Sequence, residues 1–338
     1  MTPKRTALTL TIFTALFLTH FAVLPPTATS QTTTSESSYP SYKIGGFLQQ
    51  QFIADETSGS PTRFYTHRAR IGVTGSVTDR ISVNFIGGYT EPPHDNPKLV
   101  NAFIHFDIDP LFQVRTGQFF APFGLEGPEP IPLNPAIERS TAIRQLNTFA
   151  LFRDVGIQVS GSNSGFSYAI AVLNGTGANR PEQIDPKDVV GRIGFDVTNE
   201  LAIGVSGHFG QYQTGPSTDD HESRFRSGAD ISYKGSPLFL RGEYIIREDD
   251  LPEGGSIKMN GGYLLGGYEL TDALETIVRY EYYEPNTDVE DNHFTVFTIG
   301  ANYYFVGNTR ISANYELRDN SLNPAIKNLF TVQMQLTL

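Results

Sequence analysis

From residue 42 onward the chain alternates apolar and polar side chains in about sixteen runs of roughly ten residues each. In 62–78, Ala69, Ile71, Val73 and Val77 share one parity, with Arg68, Arg70, Thr74 and Ser76 on the other. The same pattern recurs to the C-terminus, where Phe330, Val332, Met334, Leu336 and Leu338 alternate with Thr331, Gln333, Gln335 and Thr337. Period two means a strand with two unlike faces. The polar face is charged throughout: Arg115, Arg192, Arg224, Arg226, Arg241, Arg279 and Arg310 share it with Asp107, Asp196, Glu222, Asp230, Glu243, Glu281 and Glu316. Such a face cannot line the packed interior of a small sandwich, but it can line water.

The connections alternate too. Thr78-Asp79-Arg80, Asp109-Pro110, Asn163-Ser164-Gly165, Thr198-Asn199-Glu200, Thr271-Asp272-Ala273 and Val306-Gly307-Asn308 read as tight turns, and the intervening links are longer. An antiparallel barrel in an outer membrane has this asymmetry, with short periplasmic turns and longer outside loops. Tyr233, Tyr244, Tyr280, Tyr282, Tyr303 and Tyr315 fall near strand ends on the apolar face, as an aromatic girdle requires. A soluble secreted all-β protein shares the alternation but not the uniform strand length or the short/long order. The fold expected is an all-β transmembrane antiparallel barrel of about sixteen strands.

One stretch, 118–156, breaks the pattern. Pro122, Pro128, Pro130, Pro132 and Pro135 exclude an interior strand. Phe119, Phe120, Phe123, Leu125, Ile137, Ile143, Leu146, Phe149 and Phe152 make it too apolar to wave in solvent. It is expected to pack into the barrel, with 118–153 as a constriction.

Residues 1–30 read as a signal peptide: Lys4 and Arg5, a mainly apolar run, then Ala28 and Ser30 before a cut at Gln31. An uncleaved anchor helix is the lesser reading. Residues 31–41 form a Ser/Thr-rich lead-in and 42–338 the barrel. No later apolar run is long enough for a transmembrane helix. The formal charge of −11 argues against nucleic acid as a partner, and the lack of cysteine removes disulfides and thiolate chemistry. His67, His94, His105, His208, His221 and His293 show no metal-ligand spacing, and no nucleophile elbow or phosphate loop is present, so neither cofactor nor metal is expected.

Several pieces resemble the phosphate-selective porin O/P family of Gram-negative outer membranes. They are Arg68-Ala69-Arg70-Ile71-Gly72, the run from Gly117 through Gln118-Phe119-Phe120-Ala121-Pro122-Phe123-Gly124 to Glu126, Ile137-Glu138-Arg139-Ser140, Arg153-Asp154-Val155-Gly156-Ile157 and Leu173-Asn174-Gly175-Thr176-Gly177. All lie in the first half; the second half matches in barrel pattern only. The resemblance implies sixteen strands, a homotrimer, and a third outside loop folded into the pore. It departs at Phe120, where the family often has Lys, and at Leu338, where such barrels commonly end in Phe.

The function expected is a water-filled diffusion channel for small hydrophilic solutes, with anions or phosphate preferred, contacting outer-membrane lipid. The anion path would use Arg68, Arg70, Arg115, Arg139, Arg144 and Arg153, with Glu126, Glu129 and Glu138 able to neutralise the loop arginines. Two alternatives stand beside it: a non-conducting adhesin or scaffold barrel, and an outer-membrane esterase built on Ser206 and His208.

Overall fold

The computed structural model describes residues 39–90 and 98–338. The expected signal peptide and most of the lead-in, and the Pro-rich loop that holds His94, lie outside the described residues.

Sixteen strands form one closed barrel in which each pairs antiparallel with its neighbours in sequence. They are β1 (Ser41–Asp55), β2 (Arg63–Ser76), β3 (Ile81–Thr90), β4 (Lys98–Asp109), β5 (Phe112–Phe120), β6 (Arg153–Asn163), β7 (Phe166–Leu173), β8 (Asp188–Asp196), β9 (Leu201–Gln213), β10 (His221–Lys234), β11 (Leu238–Asp250), β12 (Ser256–Thr271), β13 (Leu274–Glu284), β14 (Phe294–Val306), β15 (Thr309–Asn320) and β16 (Leu329–Thr337). The seam is β1 against β16, from Phe47↔Thr337 to Asp55↔Leu329, and the Leu338 amide donates to the Gly46 carbonyl at 2.9 Å. Closure leaves no strand edge to pair with another chain. A two-sheet sandwich is thereby excluded.

The short links are tight for local reasons. Between β6 and β7, Ser164 and Gly165 both take left-handed backbone (φ 49° and 83°), the geometry of a two-residue hairpin turn. The links after β1, β5, β7, β9, β11, β13 and β15 are all longer than those after the even strands.

Burial follows the alternation inside out. Ile71, Phe85, Ile104, Ile157, Ile193, Val205, Leu264, Val278 and Ile299 are exposed on the outer face. Arg68, Arg226, Arg279, Arg310, His208 and Gln335 are buried on the inner one. Tyr233, Tyr244, Tyr280 and Tyr303 are exposed outside, whereas Tyr282 and Tyr315 are half-buried and hydrogen-bond Glu284 and Glu56.

The interrupting stretch is narrower than the sequence suggests. Strand β5 runs on to Phe120, which pairs with Arg153, and β6 starts at Arg153, so residues 121–152 carry the non-strand segment. Pro122 ends the ladder because it has no N–H to give. The segment holds two single 3₁₀ turns and one short helix, α1 (Thr141–Leu146). Its buried Phe123, Ile143, Leu146 and Phe149 join Ile245, Met259, Leu265 and Ile277 of the wall in one apolar cluster. This explains β12, whose faces the sequence leaves unassigned: Leu264, Tyr268 and Leu270 are exposed outside, while Met259, Tyr263 and Leu265 are buried inside.

Candidate functional site

The segment 121–152 is tied to inward side chains of many strands. The Gly124 amide donates to Ser206 Oγ (2.9 Å) and the Glu126 amide to Glu243 Oε2 (3.0 Å). Gly124 needs positive φ (75°) and close approach, since a Cβ there would lie 1.9 Å from Glu243 Oε1. Farther along, Gln335 Nε2 reaches the Pro132 carbonyl at 3.1 Å, Arg310 Nη2 the Asn134 carbonyl at 2.5 Å and Asn302 Nδ2 the Pro135 carbonyl at 2.8 Å. Arg279 Nη1 donates to the Glu138 carbonyl (2.7 Å) and Arg226 Nη1 to the Leu146 carbonyl (3.3 Å). Ser140 Oγ and the Thr141 amide both donate to Glu281 Oε2 (3.1 and 2.5 Å). Irregular backbone buried among side chains must find such partners, or each orphan group costs about 1–3 kcal/mol.

Glu138 is the densest tie. Its carboxylate meets His67 Nε2 at 2.7 Å, Arg68 Nη2 at 2.7 Å and Gln51 Nε2 at 3.2 Å. Burial pushes this carboxyl up, but Arg68 and His67 more than reverse that and hold it well below the usual carboxylate range. Glu126, fully buried, is the opposite case. Burial raises its carboxyl, only partly offset by Arg279, Arg241 and Arg139 and by the Ser140 amide at 2.8 Å.

The arginines singled out by sequence divide by partner. Arg68 is spent on Glu138, with Gln49 Oε1 at 3.0 Å. Arg139 staples the segment to itself: Nε donates to the Glu126 carbonyl (2.9 Å), and Nη2 to those of Gly127 (3.1 Å) and Glu129. Its guanidinium lies 4.6 Å from the Phe152 ring centroid, and burial lowers its pKa to about 10, so it stays cationic at neutral pH. Arg144, on α1, is exposed, with Thr141 Oγ1 at 3.1 Å. Arg153 stacks 3.5 Å over Phe120 and donates to Asn101 Oδ1 and the Leu151 carbonyl, both at 2.7 Å. Arg115 lies 4.6 Å from Phe103 and 5.9 Å from Phe119, and Arg70 lies 5.4 Å from Phe47. The structure therefore joins Arg68 with Glu138, and sets Arg139 with Phe152 and Arg153 with Phe120; Arg144 stands apart.

Other wall arginines are held by carboxylates: Arg192 by Asp230 (2.5 Å), Arg241 by Glu129 (2.8 Å) and Arg279 by Glu281 (2.6 Å). The role sequence reading misses is that of Arg226, Arg279 and Arg310 as clamps on the segment's carbonyls. Nothing in a period-two pattern signals it, because it depends on where the segment passes.

The Ser206–His208 pair of the esterase alternative is not formed as a catalytic couple. Ser206 Oγ accepts from the Gly124 amide, while His208 Nε2 faces Asp188 at 2.8 Å and Nδ1 accepts from Arg226 Nε at 2.9 Å. Among the described residues no cluster of His, Asp and Glu is arranged to hold a metal ion.

Solved structures with the same fold include the loop-deleted OmpT of Vibrio cholerae (TM-score 0.70, 14% identity, 89% of this chain and 100% of that one). They also include an anion-selective porin from Comamonas acidovorans (0.68, 14%, 88% and 100%) and Salmonella typhi OmpF in complex with daunomycin (0.67, 12%, 88% and 97%). A search of curated proteins finds no match. The family description "phosphate-selective porin O and P" matches residues 44–214 and 211–338, so the likeness extends through the second half, where the sequence motifs are absent. A closed barrel with an apolar exterior and a charged interior is what a channel of that kind requires, and the chain belongs to the phosphate-selective porin O and P family of outer-membrane porins.

Proposed function

We infer that the segment 121–152 lies in the lumen as the constriction of an outer-membrane diffusion channel for small hydrophilic solutes, and that this constriction favours anions, phosphate among them. The observation that carries the reading is the set of bonds from the segment to inward side chains of β1, β2, β9, β10, β11 and β13–β16. A chain on the outer face or above the rim could not meet side chains that point to the axis from opposite walls.

Charge supports the anion preference. Several lumen carboxylates are consumed by ion pairs, as above. The Arg115, Arg139 and Arg153 guanidinium groups instead lie against phenylalanine rings, and Arg139 and Arg153 also donate to uncharged oxygens. A cation on a ring keeps its full charge. Low-dielectric walls focus the field of such charges on the narrow water path. Phe120, where the family often has Lys, becomes the platform for Arg153 from the facing strand, so the positive charge is supplied from 153. Arg70 and Arg144 complete the proposed path, with Glu126 and the Arg68–Glu138 ion pair framing it. The Comamonas porin, which is described as anion-selective, is in keeping with this reading, and the trimer form of Vibrio cholerae OmpT supports a homotrimer. Residues 1–30 would act as the export signal of a Gram-negative cell, the short turns would face the periplasm, and the apolar band would contact outer-membrane lipid.

Reversal potentials across a planar bilayer in a KCl gradient test the preference. Wild type should show weak to moderate anion selectivity, reduced by Arg115→Ala with Arg144→Ala. Cation selectivity untouched by that double substitution would refute it.

A further inference from the structure

On the outer face beside the barrel seam, a polar pair interrupts the apolar band. Gln50 of β1 is exposed, and Thr66 stands opposite it on β2. A register shift between Gln49 and Gln50 absorbs one extra residue of β2. His67 and Arg68 both turn inward to Glu138 there, while Thr66 turns outward. Gln50 Nε2 donates to Thr66 Oγ1 at 2.9 Å, and Thr66 Oγ1 donates back to Gln50 Oε1 at 3.2 Å. A carboxamide carries two N–H donors and two lone pairs. Thr66 takes one of each, which leaves one donor and one acceptor of Gln50 facing out. The surroundings are apolar. Leu48 and Phe52 flank Gln50 along β1, the Phe52 and Phe64 rings lie 4.7 Å apart, and exposed Met334 faces Gln50 across the seam. Hydrocarbon can satisfy neither spare group, and an unpaired amide in lipid is costly.

Deepening the homotrimer reading on which it rests, we propose that this wall faces the three-fold axis, where Gln50 Nε2 of each copy donates to Gln50 Oε1 of the next in a closed ring. One spare donor and one spare acceptor per chain is the count such a ring needs, because every copy gives once and receives once around the cycle. Polar side chains that pair between chains inside a membrane favour association, since lipid offers no substitute. Leu48, Phe52, Phe64 and Met334 form the apolar collar of the ring. The distribution of tyrosine agrees. Of the exposed tyrosines within strands, Tyr233, Tyr244, Tyr268, Tyr280 and Tyr303 lie on β10–β14, against Tyr42 on β1 and Tyr89 on β3. The girdle that meets lipid headgroups is therefore densest on another side of the barrel from Gln50.

The chain has no cysteine, so Gln50→Cys gives one thiol per copy. Val205→Cys, exposed on β9, is the control wall. The protein purified in detergent is oxidised with copper phenanthroline, and light scattering reports the assembly of the same sample. Wild type should be a trimer. Gln50→Cys should give disulfide-linked pairs on a denaturing gel, about tenfold more than Val205→Cys, since the bond forms only where Cα atoms come within about 7 Å. Met334→Cys, joined by a short bismaleimide, covers the case in which Gln50→Cys does not fold. Gln50→Leu should leave heat-modified migration of the single barrel unchanged and shorten the half-life of the trimer about tenfold. A trimer that links through neither Gln50→Cys nor Met334→Cys, or a Gln50→Leu trimer as long-lived as wild type, would overturn the ring and leave the homotrimer. A wild-type monomer would remove the homotrimer and the ring with it.

Discussion

Glu138→Gln is the sharpest test of how the segment is held. The substitution keeps size and one carbonyl oxygen but deletes the charge that Arg68 and His67 both address. Arg68 is 1% exposed and also donates to the neutral Gln49 Oε1 at 3.0 Å. Removing one member of a fully buried ion pair costs about 3–5 kcal/mol. Glu138 keeps 21% of its side-chain surface, so water replaces part of the loss, and about 2–3 kcal/mol is the expected cost. That is roughly a 30- to 150-fold rise in local opening. The carbonyl ties at Pro132, Asn134, Pro135 and Glu138 itself remain, so the segment should open more often without leaving its place.

Hydrogen exchange of amides in 131–141 reads this opening directly. Exchange in the variant should be faster by that factor, with the strands unaffected. Because the folded carboxyl is held below its unfolded range near 4.3, its contribution is complete above that value and is lost only as pH falls through the lower folded pKa. The Glu138 tie itself should therefore contribute no change in protection between pH 7 and about pH 5. Equal exchange rates in wild type and variant would show that the ion pair does not anchor the segment.

Three further outcomes are expected. Deleting 128–147 should raise single-channel conductance, and unchanged conductance would place the segment outside the water path. Gly124→Ala should cost about 1–3 kcal/mol, since φ is 75° and the new methyl would strike Glu243, and the temperature of heat-modified gel migration should fall accordingly. Glu126→Gln should be neutral or stabilising at pH 8: burial raises this carboxyl, so its cost is absent below about pH 4.3 and grows as pH rises through the raised folded value. A variant less stable than wild type at pH 8, by the same gel measure, would contradict that sign.

The barrel was legible because membrane strands advertise both faces. Apolar Ile157 and Val205 outside and charged Arg192 and Asp230 inside leave little choice of register. Legibility failed where the wall meets the segment. Strand β12 presents Met259, Tyr263 and Leu265 inward because α1 packs there, so alternation disappears although the strand does not. The alternation reads as broken from Gln118 because Phe119 and Phe120 follow side by side, yet both remain in the β5 ladder, one buried and one beneath Arg153. The residue types of the candidate site were visible, but their partners were not. Whether an arginine meets a carboxylate, a ring or a backbone carbonyl depends on the path of 121–152 through space.

That division reconciles an acidic protein with the anion preference proposed for its channel. Many of the unpaired acids sit in the links between strands: Asp219, Glu253, Asp288, Glu290 and Asp291 are exposed there. Charges in open solvent are screened over about 10 Å at 0.1 M salt and about 3 Å at 1 M. In the proposed constriction, Arg115, Arg139 and Arg153 act on ions at short range and are screened far less. The two sets oppose each other, and ionic strength weights them differently. At low salt the acidic links enrich cations at the mouth and weaken the preference set inside; at high salt the links fall silent and the arginines govern. Anion selectivity from reversal potentials should therefore rise as both baths are moved from about 0.05 M toward 1 M KCl at a fixed gradient. A general field from the net charge of −11 predicts cation selectivity that simply fades over the same range. Selectivity that starts cationic and decays to none, never crossing to anions, would show that the stacked arginines do not reach the ion path.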